Sequence, residues 1–312
     1  MNNISTNKNS EYSEKITVIS LARDVQTSEV MVTLQSEYRG KIVIKTVSRD
    51  TITVSGLREL SKYGFPTLTK TDIDEFLSYF TENESDFPMV NIYQKVGWHE
   101  IGGKDYFLHR KPLADGKAKN GIYKGKLDLS RKGSKDDVII FFDNNLRDAI
   151  GLQTACAVSL ASAIVGRVKN KDLRFIFHIE GTSTSGKTTT LKLAGSLWGN
   201  PQIMPNGVVK NWNITGNKLV QSAGGNNGVL ICLDELAMSN TDNTQLTYLL
   251  TGGNDKQRMT NDDSSDDSFN TVFMSTGEIQ FRNSNYGGIT VRLFEVKNYN
   301  YTKTKELADT IN

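Results

Sequence analysis

The chain opens with short stretches in which β-branched and apolar residues recur at strand-like spacing. Ile16 to Val25, Glu29 to Glu37 and Lys41 to Ser48 read as three strands. The turns Gln26 to Ser28 and Tyr38 to Gly40 are short enough for a meander. The period then lengthens. Ser55 to Tyr63 predicts a helix that stops at Gly64, with Pro66 just beyond. Asp72 to Phe80 predicts a second helix, with Thr71 as N-cap and Asp74 three residues later in a box-like position. Val90 to Glu100 and Lys104 to Arg110 read as two strands joined at Gly102-Gly103. Residues 15–114 are thus expected to form a small α+β domain, and they hold no catalytic constellation.

Residues 115–137 change character. Over 115–135, Lys117, Lys119, Lys124, Lys126, Arg131, Lys132 and Lys135 stand against only Asp115 and Asp128, among several glycines. A solvated basic linker is the plain reading, and contact with a nucleic-acid backbone is the functional one, since lysines dominate non-specific affinity for phosphates. From 138 to 312 strands and helices alternate. That pattern predicts an α/β domain with a parallel sheet covered by helices on both faces. Ala149 to Val165 is nearly uncharged, but it is shorter than the ~20 residues of a membrane span. It also contains Gln153, Thr154, Ser159 and Ser162, so a buried helix is expected and no membrane partner.

The chemistry concentrates in this second part. Leu173 to Glu180 is an apolar strand, and Gly181 to Thr188, GTSTSGKT, follows at once. This fits the phosphate-binding pattern G-x-x-x-x-G-K-[ST] without deviation, and a helix from Thr188 to Trp198 comes next. Gly181 and Gly186 let the backbone wrap so that amides point at phosphate oxygens, and the helix N-terminus adds positive partial charge. Lys187 reaches the β- and γ-phosphates, and the Thr188 hydroxyl is a Mg²⁺ ligand. The predicted nucleotide-binding set is Gly181, Thr182, Ser183, Thr184, Ser185, Gly186, Lys187, Thr188 and Thr189, with ATP and Mg²⁺ as ligands. A chance turn of Gly, Ser and Thr is the alternative; the flanking strand and helix argue against it.

Val229 to Leu233 is a second apolar run, ending in Asp234-Glu235. An acidic pair at that edge fits a Walker B element, with Asp234 in the Mg²⁺ shell and Glu235 as general base for the attacking water. Thr271 to Met274 is a third run, ending in Ser275-Thr276-Gly277-Glu278. A polar side chain there, with Thr276 the candidate, is placed to orient water beside the γ-phosphate; an ordinary strand end is the alternative. Thr241 to Thr251 predicts a helix capped by Asp242 and Gln245. The stretch after it, through the acidic tip NDDSSDDS at 261–268, suggests a hairpin in which Lys256 and Arg258 would touch DNA or a neighbouring subunit's nucleotide. The four aspartates of that tip oppose a DNA-gripping role.

Composition adds little. Lys and Arg number 37 against 35 Asp and Glu, so no global field marks a nucleic-acid partner. Cys156 and Cys232 lie in apolar runs and read as buried reduced thiols, and the three histidines lack metal-ligand spacing. Residues 1–14 are polar, without the apolar core of a signal peptide, and are expected to be a disordered tail of a cytoplasmic protein.

Taken together, GTSTSGKTTTLKLAGSLWGNP, KNWNITGNKLV, GVLICLDEL and FMSTGE, with GWHEIGGKDYF and the Leu146 to Val168 helix upstream, resemble domain-of-unknown-function family 927 over most of residues 15–300. The resemblance implies an AAA+-type P-loop ATPase, near the MCM and superfamily 3 helicases, carried by phages and other mobile elements. It further implies a replicative helicase or initiator ATPase acting as a homo-oligomeric ring on DNA. Trp212, Asn213 and Thr215 belong to a family motif on that analogy, and a core position is the alternative for Trp212. A ring ATPase borrows an arginine from the adjacent subunit; Arg292, in GGITVR, is the first candidate, ahead of Arg258 and Arg282. A C-terminal lid is also expected after Arg292, and Asn312 follows soon, so either a minimal lid or a longer parent protein is expected. Two rivals stand beside this reading: a nucleotide-dependent DNA- or partner-binding module without unwinding, and a P-loop kinase or transferase.

Overall fold

The computed structural model describes residues 15–168, 173–252, 268–281, 287–297, 301–302 and 304–311. The elements of the first 125 residues run β1 (Thr17–Asp24), β2 (Val30–Tyr38), β3 (Lys41–Ser48), α1 (Val54–Glu59), α2 (Lys70–Asn83), β4 (Met89–Tyr93), β5 (Gly97–Ile101), β6 (Lys104–Leu108), β7 (Pro112–Ala114), β8 (Lys117–Ala118) and β9 (Ile122–Tyr123). They fall into two units. The smaller holds residues up to Gln94 together with Asn120–Lys124, and the larger holds Lys95–Lys119 and everything from Gly125 on. Residues 115–137 therefore do not form one linker: β8 belongs to the larger unit and β9 to the smaller.

In the smaller unit the sheet order is β3-β2-β1-β4-β9. The expected meander of three antiparallel strands is present, and β4 and β9 extend it in parallel. Alternation turns Val32 and Leu34 of β2 inward, where they meet Leu57, Leu60, Ile73, Phe76 and Phe80. Ile73, Phe76 and Phe80 recur at helical spacing and give α2 its buried stripe. Thr69, not Thr71, caps α2: it and Asp72 form the reciprocal capping box. The Asp72 carboxylate also accepts from Lys15 at 2.8 Å. These bonds hold its pKa down at about 2, the Lys15 bond contributing most.

The single strand expected over Val90 to Glu100 is two strands in different sheets, β4 and β5, divided where the chain leaves one unit for the other. Gly97 shows why the break falls there. Its φ is +86°, and a Cβ would collide with the backbone of Asn227, whose carbonyl accepts from Trp98 N–H at 2.6 Å. From this point β5, β6, β7 and β8 form an antiparallel sheet in chain order.

The remainder of the larger unit runs α3 (Lys135–Asn145), α4 (Ile150–Arg167), β10 (Ile176–Glu180), α5 (Lys187–Ser196), β11 (Val209–Asn211), α6 (Gly216–Ala223), β12 (Ile231–Asp234), α7 (Asn243–Gly252), β13 (Phe273–Gly277), α8 (Gly287–Thr290), β14 (Leu293–Lys297) and α9 (Lys305–Ile311). Five of the strands make a sheet in the order β11-β12-β13-β10-β14, and every recorded pairing in it is parallel. Strand alternation sorts its two faces. Ile231 and Leu233 join Leu219, Val220, Leu246 and Leu250 of α6 and α7 in one core. Cys232, between them, points the other way, its Sγ 3.8 Å from Leu191 O of α5. Helices therefore cover both faces of this sheet. Outside α5, α4 packs seven buried residues, and Ser159 and Ser162 hydrogen-bond to Ala194 O and Gly228 O. Although α4 is long and apolar enough to cross a membrane, one face is packed; Ile150, Leu160 and Ile164 remain exposed.

Candidate nucleotide site

The sheet brings its strand ends to one edge. Register places Glu180 level with Gly277, and Asn211 level with Asp234. The loop from Gly181 to Gly186 leaves β10 at this edge, inside the sheet rather than at its rim. That edge is where parallel α/β sheets bind ligands. Gly181 N–H ties the loop's start to Gly277 O at 3.2 Å. Two left-handed residues then bend it, Thr184 at φ +65° and Gly186 at φ +83°. Thr182, Ser183 and Thr184 are exposed, while Lys187 is buried and starts α5. The Lys187 ammonium donates to Gly181 O and Thr182 O, each at 2.7 Å. Thr189 is buried just behind Thr188.

Asp234 joins loop to strand. The Thr188 hydroxyl lies 3.1 and 3.2 Å from the two oxygens of its carboxylate. From the next strand, the Thr276 hydroxyl donates to Asp234 Oδ1 and accepts from Glu235 N–H at 3.3 Å. Three predicted residues from three elements are thus in direct contact. Glu235 follows in the left-handed region, φ +63° and ψ +76°. A non-glycine residue held there costs on the order of 1–3 kcal/mol, and such strain clusters at functional sites.

The donor set suits Mg²⁺. A hydroxyl and a carboxylate within 3.2 Å of each other are hard oxygen ligands able to share one small ion that keeps several waters. Among the described residues no group of three or more His, Cys, Asp or Glu could hold a metal. An ion at this place would therefore rest on Thr188, Asp234 and phosphate oxygens. The first amides of α5 have no partner within the helix and add positive potential at the loop.

Arg292 is elsewhere engaged. Its Nη1 donates to Gly288 O at 3.1 Å, and its guanidinium lies over the Tyr248 ring at 5.6 Å. Neither contact is with the loop or with Asp234 and Glu235. Lys256, Arg258 and Arg282 lie outside the described residues.

Two features escaped the sequence reading. Tyr301 N–H donates to Ser185 O at 3.0 Å, and a Cβ on Gly186 would fall 2.5 Å from Thr302 Oγ1. Buried Tyr301 and Thr302 thus sit directly on the loop; the only sequence signal was the glycine itself. The second is a buried polar chain under β13. Trp212 Nε1 donates to Ser275 Oγ at 3.0 Å, and Ser275 Oγ lies 2.9 Å from His178 Nδ1. His178 Nε2 meets Ile279 O at 3.0 Å. Burial lowers the His178 pKa to about 4. A neutral ring facing a carbonyl must carry its proton on Nε2, so Ser275 donates to Nδ1. Cys156 and Cys232 are free and buried, as expected; burial pushes the Cys156 thiol up to about 12 and raises that of Cys232 as well.

An α/β protein whose larger unit carries a phosphate-loop motif on a parallel sheet is the class these observations define. The chain belongs to the family described as Domain of unknown function (DUF927), which matches residues 2–266. Its fold is similar to the solved structure of an active helicase, Cch of SCCmec type IV, with a TM-score of 0.75 and 24% identity. That match covers 98% of this chain and 59% of the helicase, so the chain spans about three fifths of that protein's length. The apo A form of the NrS-1 C-terminal region superposes at a TM-score of 0.37 with 13% identity, covering 95% of this chain and 63% of that one, too loosely to carry an argument. No curated protein matches the chain.

Proposed function

We propose that the larger unit is an AAA+-type P-loop domain that binds ATP with Mg²⁺ and hydrolyses it, as part of a mobile-element or phage DNA replication helicase or initiator in the cytoplasm. One observation carries the reading. The hydroxyls of Thr188 and Thr276, from two separated motifs, both donate to the carboxylate of Asp234, from a third, at the mouth of the glycine loop. A chance Gly/Ser/Thr turn has no reason to meet an acidic strand end in this way.

The roles follow from chemistry and position. The amides of Thr182 to Thr189, with Gly181 and Gly186 shaping the backbone, would cradle the phosphates. Lys187 would exchange its two loop carbonyls for β- and γ-phosphate oxygens. Thr188 and Asp234 would hold Mg²⁺, which supplies charge neutralisation at the phosphates. Glu235 would take the proton of the attacking water, and Thr276 would fix Asp234 and orient that water. The fold likeness to an active helicase supports DNA as partner; a homo-oligomeric ring, with Arg292 acting in a neighbour's site and Lys256 and Arg258 as DNA or trans contacts, is the further part of the proposal and rests on the family resemblance.

The test is ATP turnover by wild type and Glu235→Gln, with and without single-stranded DNA, beside sizing of the ATP-bound form. Loss of a general base is expected to reduce turnover by on the order of 10²–10⁴-fold with ATP still bound. Turnover that persists in Glu235→Gln would refute the base assignment. One observation favours a second reading, a nucleotide-dependent binding module without unwinding: Arg292 is held by Tyr248, which lines a cleft of about 800 Å³ with Thr215, Asp242 and Gln245. Strand separation on a forked duplex distinguishes the two.

A further inference from the structure

The pairing of β12 with β13 ends at Leu233 and Ser275. Asp234 and Thr276, the two residues whose contact builds the site, lie one position past that last rung; each is still paired on its other side, Asp234 with Asn211 and Thr276 with Ile179, but no rung between β12 and β13 sets the distance from one to the other. Trp212 reaches both strand ends. Its backbone N–H donates to Asp234 O at 3.0 Å, and its indole N–H donates to Ser275 Oγ at 3.0 Å. Ser275 and Thr276 are neighbours on a strand and so face opposite sides of the sheet. Thr276 points to Asp234 and α5, and Ser275 points to the α6 and α7 side. The Ser275 hydroxyl continues to His178 and on to Ile279 O. Phe281 packs edge-on against both rings, 5.8 Å from Trp212 and 5.4 Å from His178. Trp212, His178 and Ser275 are at most 1% exposed. The chain of donors is satisfied from the indole to the Ile279 carbonyl, and a satisfied buried network is stiff.

We propose that Trp212 is a positioning residue for this site: its amide and its indole together set the spacing of Asp234 and Thr276 past the end of the β-ladder, and turnover depends on that spacing. The inference rests on the ATPase reading for its kinetic consequence, but the spacing itself is a structural claim. A filler of the core would need only the indole's volume. A positioning residue needs its N–H.

Trp212→Phe removes the N–H and keeps an aromatic ring, and Ser275→Ala removes the same link from the other side. Each is expected to lower kcat about tenfold or more while KM for ATP stays within about twofold, because misplacement of reacting groups acts on the transition state. The double variant is expected to lose no more than Ser275→Ala alone, since Ser275→Ala already cuts the indole–hydroxyl link along with the bond to His178. Hydrogen exchange at the Glu235 amide, which is bonded to Thr276, is expected to quicken in each. Unchanged kcat and unchanged exchange in the folded variants would overturn the proposal, as would losses that multiply in the double variant. If Trp212→Phe does not fold, Ser275→Ala decides the same points. If wild type shows no turnover, the ATPase reading fails, and the Glu235 exchange rate still settles the positioning claim: faster exchange supports it and unchanged exchange refutes it.

Discussion

Replacing Thr276 by valine is a sharp test of the site's internal order, because valine keeps the shape and removes only the hydroxyl. In the folded protein that hydroxyl serves two partners, Asp234 Oδ1 as donor and the Glu235 amide as acceptor. Thr276 is 1% exposed and Asp234 8%, so water is poorly placed to substitute. A hydrogen bond to a charged group contributes about 1.5–3 kcal/mol, and orphaning the part-buried Glu235 amide costs at most the about 1–3 kcal/mol of a fully buried one. The two share one oxygen and do not simply add; a loss of about 3 kcal/mol is expected. Urea unfolding followed by tryptophan emission is the assay. The three tryptophans, Trp98, Trp198 and Trp212, all lie in the larger unit, so the signal follows that unit and is not blurred by the smaller one. A loss below about 1 kcal/mol would mean that Thr276 does not hold Asp234, and the proposed geometry would have to be abandoned.

Other outcomes are equally definite. Gly186→Ala puts a Cβ against Thr302 at a backbone φ of +83°. The left-handed conformation alone costs about 1–2 kcal/mol, and exchange at the Tyr301 amide is expected to quicken as residues 301–302 give way; unchanged exchange would mean that the contact is not made. Arg174→Met removes donors to Thr251 O, Gly252 O and Phe269 O, at 2.7, 2.8 and 3.3 Å. A loss of about 3 kcal/mol by the same urea assay is expected, and a neutral result would refute that anchoring. His178 binds a proton more readily unfolded, near the ordinary imidazole value of 6.5, than folded, where burial lowers its pKa to about 4. Stability is therefore expected to fall as pH drops from about 6.5 to about 4, by up to ~3 kcal/mol. His178→Asn is expected to flatten that part of the profile, and an identical slope would refute the assignment.

Where the sequence could be read, the information was local. Strand, GTSTSGKT and helix are contiguous, and the apolar run ending in Asp234 carries its own boundary, so the phosphate loop and the acidic strand end were both legible. Where two local answers competed, only the fold decided. Thr69-x-x-Asp72 and Thr71-x-x-Asp74 both fit a capping box. The first won, and Lys15, 57 residues away, holds Asp72 in that arrangement. The strand expected from Val90 to Glu100 failed for a related reason. Its apolar pattern is continuous, but the backbone at Gly97 turns to meet Asn227, which no local pattern announces. Trp212 could be read as a core residue, and it is one; its second bond, to Ser275, required knowing that β11 and β13 flank β12.

The path of the chain between the units has a practical consequence for anyone cutting the protein into pieces. The smaller unit owns two separate stretches, one ending at Gln94 and one from Asn120 to Lys124, and the second supplies its edge strand β9. No single cut yields that unit whole. A fragment stopped at residue 94 leaves the backbone of β4 without the neighbour it pairs with in the full chain, an open sheet edge of the kind that recruits other chains and aggregates. A usable fragment would have to splice residues 120–124 back on through an artificial connector, and the complementary fragment would need its own bridge from Lys119 to Gly125.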